Sequence, residues 1–229
     1  MATLTLHHLQ VGQGERIIWL LEELSLPYSL QLHQRAPIFS PDSLKALHPM
    51  GTSPALEDGT INPESPLILA ESNAVAEYII YKYGNGRMAL DASHPNYAHY
   101  IYWFHFANGT LQPAIVRLLS IADTNNPKLA MATARFQIAL RHFDERVSNN
   151  TWLAGEEFTA ADIMNVFSFT TMRMFQPFSL EEYPGILKWL ARCTERPAYR
   201  IAKRKGDPDQ NMEELISPKG PIKFAGLQK

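Results

Sequence analysis

His48-Pro-Met-Gly-Thr-Ser-Pro-Ala-Leu-Glu-Asp58, followed by Leu69-Ala-Glu-Ser-Asn-Ala74, is the stretch whose reading decides the fold. It reads as a proline-led strand, Ala55-Leu-Glu, then a turn-rich segment from Asp58 to Pro66. A second strand, Leu67-Ile-Leu, runs into a helix from Ser72 to Tyr83, closed by Gly84. Pro54 makes the peptide before it a tertiary amide, in which the cis form costs about 0.5–1 kcal/mol against about 2.5–4 kcal/mol elsewhere. We expect a cis Ser53-Pro54 bond that turns the N–H and C=O of Ser53 outward, where they can pair with the main chain of a small peptide. Glu71 and Ser72 stand at the start of the following helix, whose first turn carries unpaired N–H groups and partial positive charge. Acid and hydroxyl are also favoured at a helix start for purely local reasons, so these two residues alone leave both readings open.

Working outward, residues 4–9 (Leu-Thr-Leu-His-His-Leu) read as a strand that Gly12 and Gly14 break. Arg16 to Leu24 places Ile17, Leu20, Leu21 and Leu24 at helical spacing. Pro27 ends that helix, and Tyr28-Ser-Leu-Gln-Leu32 alternates as a second strand. Ser40-Pro41-Asp42 is a helix start with proline at its preferred first position. The order is β-α-β-α-β-β-α. Gly84-Asn-Gly86 and Asp91 to Pro95 have linker composition, which gives a first domain over 1–84, a linker over 85–95 and an all-helical domain over 96–229.

In that second part, Tyr97, Tyr100, Ile101, Phe104, Leu111, Ile115, Leu118 and Leu119 trace a helical stripe, with Gly109 and Pro113 expected to bend it. Helices follow over Lys128–Ser148 and Pro184–Thr194. Between them Thr159 is an N-cap, Asp162 its reciprocal residue, and Phe158 and Ile163 a hydrophobic staple. Arg200 to Lys205 reads as a solvated basic face, and the chain beyond Lys205 as an extended polar tail.

Of 229 residues, 45% are hydrophobic and 19% charged, with a net charge of −2. That is ordinary for a soluble globular chain and offers no field for nucleic acid. The single cysteine, Cys193, excludes an intramolecular disulfide and reads as a packed thiol. No apolar run reaches the roughly 18 residues of a membrane-spanning helix, and no secretory signal is visible, so the cytoplasm is the expected location. His and acidic residues are too sparse for a metal site.

Gly51-Thr-Ser-Pro-Ala-Leu-Glu-Asp-Gly59 and Leu69-Ala-Glu-Ser-Asn-Ala74 closely resemble the glutathione-binding segment of the glutathione S-transferases. The opening His7-His-Leu-Gln-Val-Gly-Gln-Gly-Glu-Arg-Ile-Ile-Trp-Leu-Leu-Glu-Glu-Leu-Ser-Leu-Pro-Tyr28 is similar to that family's first strand and helix. Arg35 through Gly51 is similar to its next segment, especially Ser40-Pro-Asp-Ser-Leu44 and His48-Pro-Met-Gly51. Trp152 to Ile163, Tyr183 to Trp189 and Arg196-Pro-Ala198 resemble its helical domain. The resemblance spans roughly residues 4 to 205 and is nearest to the fungal and bacterial branch. It implies a thioredoxin-like N-terminal domain followed by a helical bundle, a homodimer, and a glutathione thiolate attacking an electrophilic apolar molecule.

The resemblance also assigns roles. Ser53 and Pro54 would hold the tripeptide's main chain, Glu71 its ammonium, and Ser72 the γ-glutamyl carboxylate. Arg35 would pair with the glycine carboxylate or be a solvated strand-end residue. Thr52 stands where relatives often carry Lys or Gln. The second substrate would lie between the domains, with Tyr102, Phe106, Asn108 and Arg117 against it or forming core. Family members activate the thiol, whose free pKa is near 8.5, with a Tyr, Ser or Cys near the end of the first strand. Residues 4–24 contain none of the three. The expected replacement is backbone N–H from Gly12, Gln13 and Gly14, with a further donor from the Gln10 or Gln13 amide, in preference to a histidine base at His7 or His8. The same glycines also read as simple strand-to-helix turn residues. His7 and His8 alternate on the strand and read as packed or surface histidines. With the usual group missing, glutathione-dependent isomerisation, peroxide reduction or C–S cleavage, or a non-catalytic binding role, stand as alternatives.

Overall fold

The computed structural model describes residues 4–121 and 125–227. Two compact units emerge, Met1–Ala89 with Thr194–Gln210, and Leu90–Cys193 with Asn211–Lys229.

The first unit is built on a four-stranded sheet in the order β2-β1-β3-β4, with β1 Leu4–Leu9, β2 Ser29–His33, β3 Ala55–Asp58 and β4 Leu67–Ala70. The parallel β1–β2 pair requires a crossover, which α1 (Glu15–Leu24) supplies. β1–β3 and β3–β4 are antiparallel. α2 (Asp42–Lys45) precedes β3, and α3 (Ser72–Lys82) follows β4. This is the expected β-α-β-α-β-β-α order and a thioredoxin-like sheet. Ile17, Leu20, Leu21 and Leu24 of α1 are buried with Leu6, Leu56, Val75 and Ile79.

The register positions the site. His7 lies opposite Ala55, and Ala55 opposite Ala70. The end of β1, the start of β3 and the end of β4 therefore meet at one end of the sheet. Val11–Gly14, Ser53-Pro54 and Glu71-Ser72 are the residues just beyond those three ends.

Residues 194–210 belong to this unit, whereas the sequence reading placed them in a domain running unbroken over 96–229. Their helix α9 (Pro197–Gly206) is the reason. Tyr199 packs edge-on to Trp19 of α1 at 4.9 Å between ring centroids, and Arg196 grips Glu23 through two nitrogens at 2.6 and 2.8 Å. Lys203, expected on a solvated face, is 2% exposed and donates to Glu15 at 2.7 Å. A buried cation finds a carboxylate because leaving it unpaired costs several kcal/mol.

The second unit opens with α4 (Tyr97–Phe106), which passes through a π-helical turn at Ala107–Leu111 into α5 (Gln112–Ser120). The disturbance expected from Gly109 and Pro113 thus takes the form of a π turn. α6 (Lys128–Asn149), α7 (Ala160–Phe169) and α8 (Pro184–Glu195) complete the bundle. Its core is aromatic. Phe143 lies 4.6 Å from Phe169, 4.9 Å from Trp189 and 5.3 Å from Trp103, measured between ring centroids. Thr159 and Asp162 form the expected capping box, and Cys193 is buried.

From Gly206 to Leu227 the chain is not an extended tail. Asn211 caps α10 (Met212–Ile216), Leu215 is buried, and Arg173 donates to the carbonyls of Ser217 and Pro218, both at 2.9 Å. Among the described residues, no helix is long and apolar enough to cross a membrane.

Candidate functional site

The turn after β1 supplies main-chain donors. Among the described residues, the N–H groups of Gly12, Gln13 and Gly14 have no hydrogen-bond acceptor. Gly14 is the N-cap of α1, so the helix dipole adds partial positive charge at the same place. The glycines also have a packing cause. A Cβ at Gly14 would stand 2.4 Å from His8 Nδ1 and 3.0 Å from Ser53 Oγ, and one at Gly12 would stand 2.6 Å from the Leu9 carbonyl oxygen. Val11 is left-handed, with φ 56°, although it is β-branched. Such a conformation costs on the order of 1–3 kcal/mol and persists only where surroundings impose it.

Across the sheet end, the Ser53-Pro54 bond is cis. The Ser53 hydroxyl accepts from the Leu9 amide at 2.9 Å and donates to the His7 carbonyl at 3.4 Å. The side chain therefore fastens β1, while the main-chain N–H and C=O of Ser53 have no partner among the described residues. Glu71 is exposed and left-handed, with φ 69°, just ahead of α3. Ser72 is 3% exposed and accepts from Arg16 Nη1 at 3.3 Å. The same Arg16 nitrogen donates to Gln13 Oε1 at 3.0 Å. With its Oε1 facing Arg16, the Gln13 amide turns its N–H₂ away from that cation. Burial pushes the Arg16 guanidinium down to about 9, against the opposing pull of Glu15.

Two expected ligand contacts are committed elsewhere. Arg35 donates to the carbonyls of Gln10 at 3.1 Å, Ile38 at 2.6 Å and Val11 at 2.8 Å. Its planar fork finds main-chain acceptors at the end of β1, so it is a brace rather than an open carboxylate receptor. The Gln10 amide donates to the Gly206 carbonyl at 3.3 Å, which leaves Gln13 as the side-chain donor facing the turn. Thr52 is exposed. Both histidines are packed, with His7 8% and His8 0% exposed. His7 Nδ1 stands 3.1 Å from His33 Nε2, and His8 Nε2 3.2 Å from Asp207.

Sequence reasoning missed Arg16 and Asp207. A charge immediately before the apolar Ile17–Leu21 run was a usable signal for Arg16, since buried charges need partners. Asp207 carried no local signal. Burial would raise its carboxyl, but the His8 hydrogen bond, the Lys203 charge and the Val11 amide outweigh burial and hold it below the usual range.

In the helical unit, Tyr102, Phe106 and Arg117 line a groove of about 610 Å³, together with Arg135, Ile138 and His142. The Tyr102 hydroxyl stands 3.0 Å from His142 Nε2. Asn108 sits on the π turn and is not part of that lining. Among the described residues, no group of three or more His, Cys, Asp or Glu is placed to hold a metal ion.

The N-terminal domain of the glutathione S-transferases matches residues 13–80, and their C-terminal domain residues 106–197. The chain is 30% identical over 219 residues to glutathione S-transferase 3 of Schizosaccharomyces pombe, covering 88% of this chain and 87% of that one. This chain belongs to the glutathione S-transferase family. A crystal structure of a glutathione S-transferase from Actinobacillus pleuropneumoniae superposes with a TM-score of 0.80 at 28% identity, covering 93% of this chain and 99% of that one. The disulfide-bond oxidoreductase YfcG of Escherichia coli is 27% identical over 192 residues, covering 81% of this chain and 87% of that one. In this chain the turn between β1 and α1 is Val11-Gly-Gln-Gly14, with no hydroxyl or thiol side chain in it. The main-chain N–H groups of Gly12–Gly14, with no acceptor among the described residues, and the Gln13 amide are the donors that turn offers.

Proposed function

We propose that this protein binds glutathione at the end of the first unit's sheet and uses its thiolate against an electrophilic apolar small molecule. The observation that carries this reading is one juxtaposition. The N–H and C=O of Ser53 and the amides of Gly12–Gly14, all without a partner among the described residues, lie beyond neighbouring strand ends, with the Glu71 carboxylate exposed beside them. An extended tripeptide pairs its cysteinyl main chain with Ser53. Its ammonium meets Glu71, and its γ-glutamyl carboxylate meets the start of α3 at Ser72, with the buried Arg16 charge behind it. The sulfur then rests over the glycine amides.

Each unit by which the thiol pKa falls requires about 1.36 kcal/mol of preference for the anion. Several amides near a helix start can supply that. The thiolate forms a C–S bond to the electrophilic carbon, and the leaving group departs with the bonding pair. Tyr102 and Phe106 are our proposal for the electrophile's aromatic contacts. We further propose a homodimer working in the reducing cytoplasm, where glutathione stays a thiol.

Glu71→Ala should weaken glutathione binding at least tenfold by calorimetry, the equivalent of about 1.4 kcal/mol. Unchanged affinity removes the site. Similarity to a disulfide-bond oxidoreductase favours a second reading, in which the same thiolate attacks a disulfide sulfur instead of a carbon. Parallel assays with an aryl halide and with a glutathionyl mixed disulfide separate the two reactions. Tight glutathione binding without turnover in either assay would favour a binding role.

A further inference from the structure

Asp207 reaches the glycine turn from 196 residues further along the chain. Its Oδ1 accepts from the Val11 amide at 2.6 Å, and its Oδ2 stands 3.2 Å from His8 Nε2. Arg35 holds the other side of Val11, donating to its carbonyl at 2.8 Å. Both main-chain groups of a residue in an unfavourable conformation are thus gripped by ionic side chains. The arrangement is buried, with Asp207 4% and His8 0% exposed. His8 also backs the turn, because its Nδ1, with no hydrogen-bond partner among the described residues, lies 2.4 Å from where a Cβ on Gly14 would be. One carboxylate therefore joins the β1 side chain, the turn's main chain and, through Lys203 at 3.7 Å, helix α9.

A peptide unit is planar, so the torsion angles at Val11 set where the Gly12 N–H points. Released from its left-handed well, Val11 relaxes toward extended conformations and swings that N–H. We propose that Asp207 is a positioning residue for glutathione activation, holding Val11 left-handed so that the amides of Gly12–Gly14 converge on the sulfur. The inference rests on the glutathione reading above. Asp207 touches no ligand in this scheme, and acts only through Val11.

The test is the pKa of the bound thiol, followed by the ultraviolet absorbance of its thiolate across pH at saturating glutathione, on the full chain. In the wild type it should lie below the free value of about 8.5. Asp207→Ala should raise it by about one unit, a tenfold loss of thiolate at low pH, while the glutathione Kd from calorimetry, measured below the bound thiol's pKa where the thiol stays protonated, changes less than threefold. Asp207→Asn keeps a carbonyl oxygen for the Val11 amide and should shift the pKa by less than alanine does. It carries the test if the alanine variant does not fold, with a rise of at least about 0.3 unit expected, a twofold change in thiolate.

A residue that merely fastens α9 to β1 would lower the melting temperature and leave the thiol pKa where it was. That result, in either folded variant, overturns the proposal and spares the glutathione site. A wild-type thiol that titrates at the free value overturns both.

Discussion

Asp58 in the first unit and Asp162 in the helical unit are 3% and 0% exposed, yet their carboxyls are displaced in opposite directions. Burial pushes both up. At Asp162 burial wins, and the pKa rises to about 6 despite hydrogen bonds from Trp189 at 2.8 Å, Leu153 at 3.0 Å and Thr159 at 3.1 Å. At Asp58 the hydroxyls of Thr60, Tyr83 and Tyr78 and the Thr60 amide overcome burial and hold the carboxyl well below its usual range. Lys82, 3.2 Å away, completes that cluster. Burial alone therefore does not decide the charge state of a carboxylate in this fold. The number and kind of donors do.

The comparison breaks first at Asp162. Asp162→Ala strips the acceptor from three donors, each worth about 1–3 kcal/mol when left unsatisfied, so urea unfolding should show a loss of about 3 kcal/mol or more. A loss under 1 kcal/mol would mean that the helical unit does not depend on that carboxylate. Asp162→Asn sharpens the point through pH. The folded pKa, raised to about 6, exceeds the unfolded value of about 3.9. Wild-type stability relative to the Asn variant should therefore be greatest below pH 4. It should fall by about 2–3 kcal/mol as pH climbs to 6, then level off.

Asp58→Asn should show the reverse slope. A depressed folded pKa gives stability that is present above the unfolded value and lost as pH falls. The wild-type advantage, about 2 kcal/mol at pH 7 from charge-assisted hydrogen bonds, should shrink below pH 4. Parallel slopes for the two Asn variants would erase the contrast. The smallest expected effect is Thr159→Ala, about 1 kcal/mol for a lost cap, measured as a drop in melting temperature.

The parts of this fold that were legible are the parts that short-range interactions decide. Ile17, Leu20, Leu21 and Leu24 announce α1 by spacing, and Thr159 with Asp162 announces α7 within four residues. The segment from Ser53 to Ser72 was legible as a strand, turn, strand and helix start for the same reason. Around the candidate site, the cis Ser53-Pro54 bond and the glycine turn ahead of α1 were readable. The sequence misleads wherever a long side chain can choose among distant acceptors. Arg35 turned to carbonyls at the end of β1, and Gln10 to Gly206. Lys203, written in a run of basic residues, went inward to Glu15.

From its residues alone the chain settles the order of strands and helices in the first 84 residues, the Thr159 cap, and the positions of glycine and proline in the turns, because each depends on neighbours within a few residues. Only the tertiary structure decides that residues 194–210 join the first unit, that Asp207 grips Val11, and that two buried aspartates titrate in opposite senses. The first two outcomes depend on groups that meet across 173 to 199 residues of sequence, and the third in part on Tyr83 and Trp189 reaching their aspartates from 25 and 27 residues away. At that range an ion or donor is chosen by packing geometry, which no local pattern encodes.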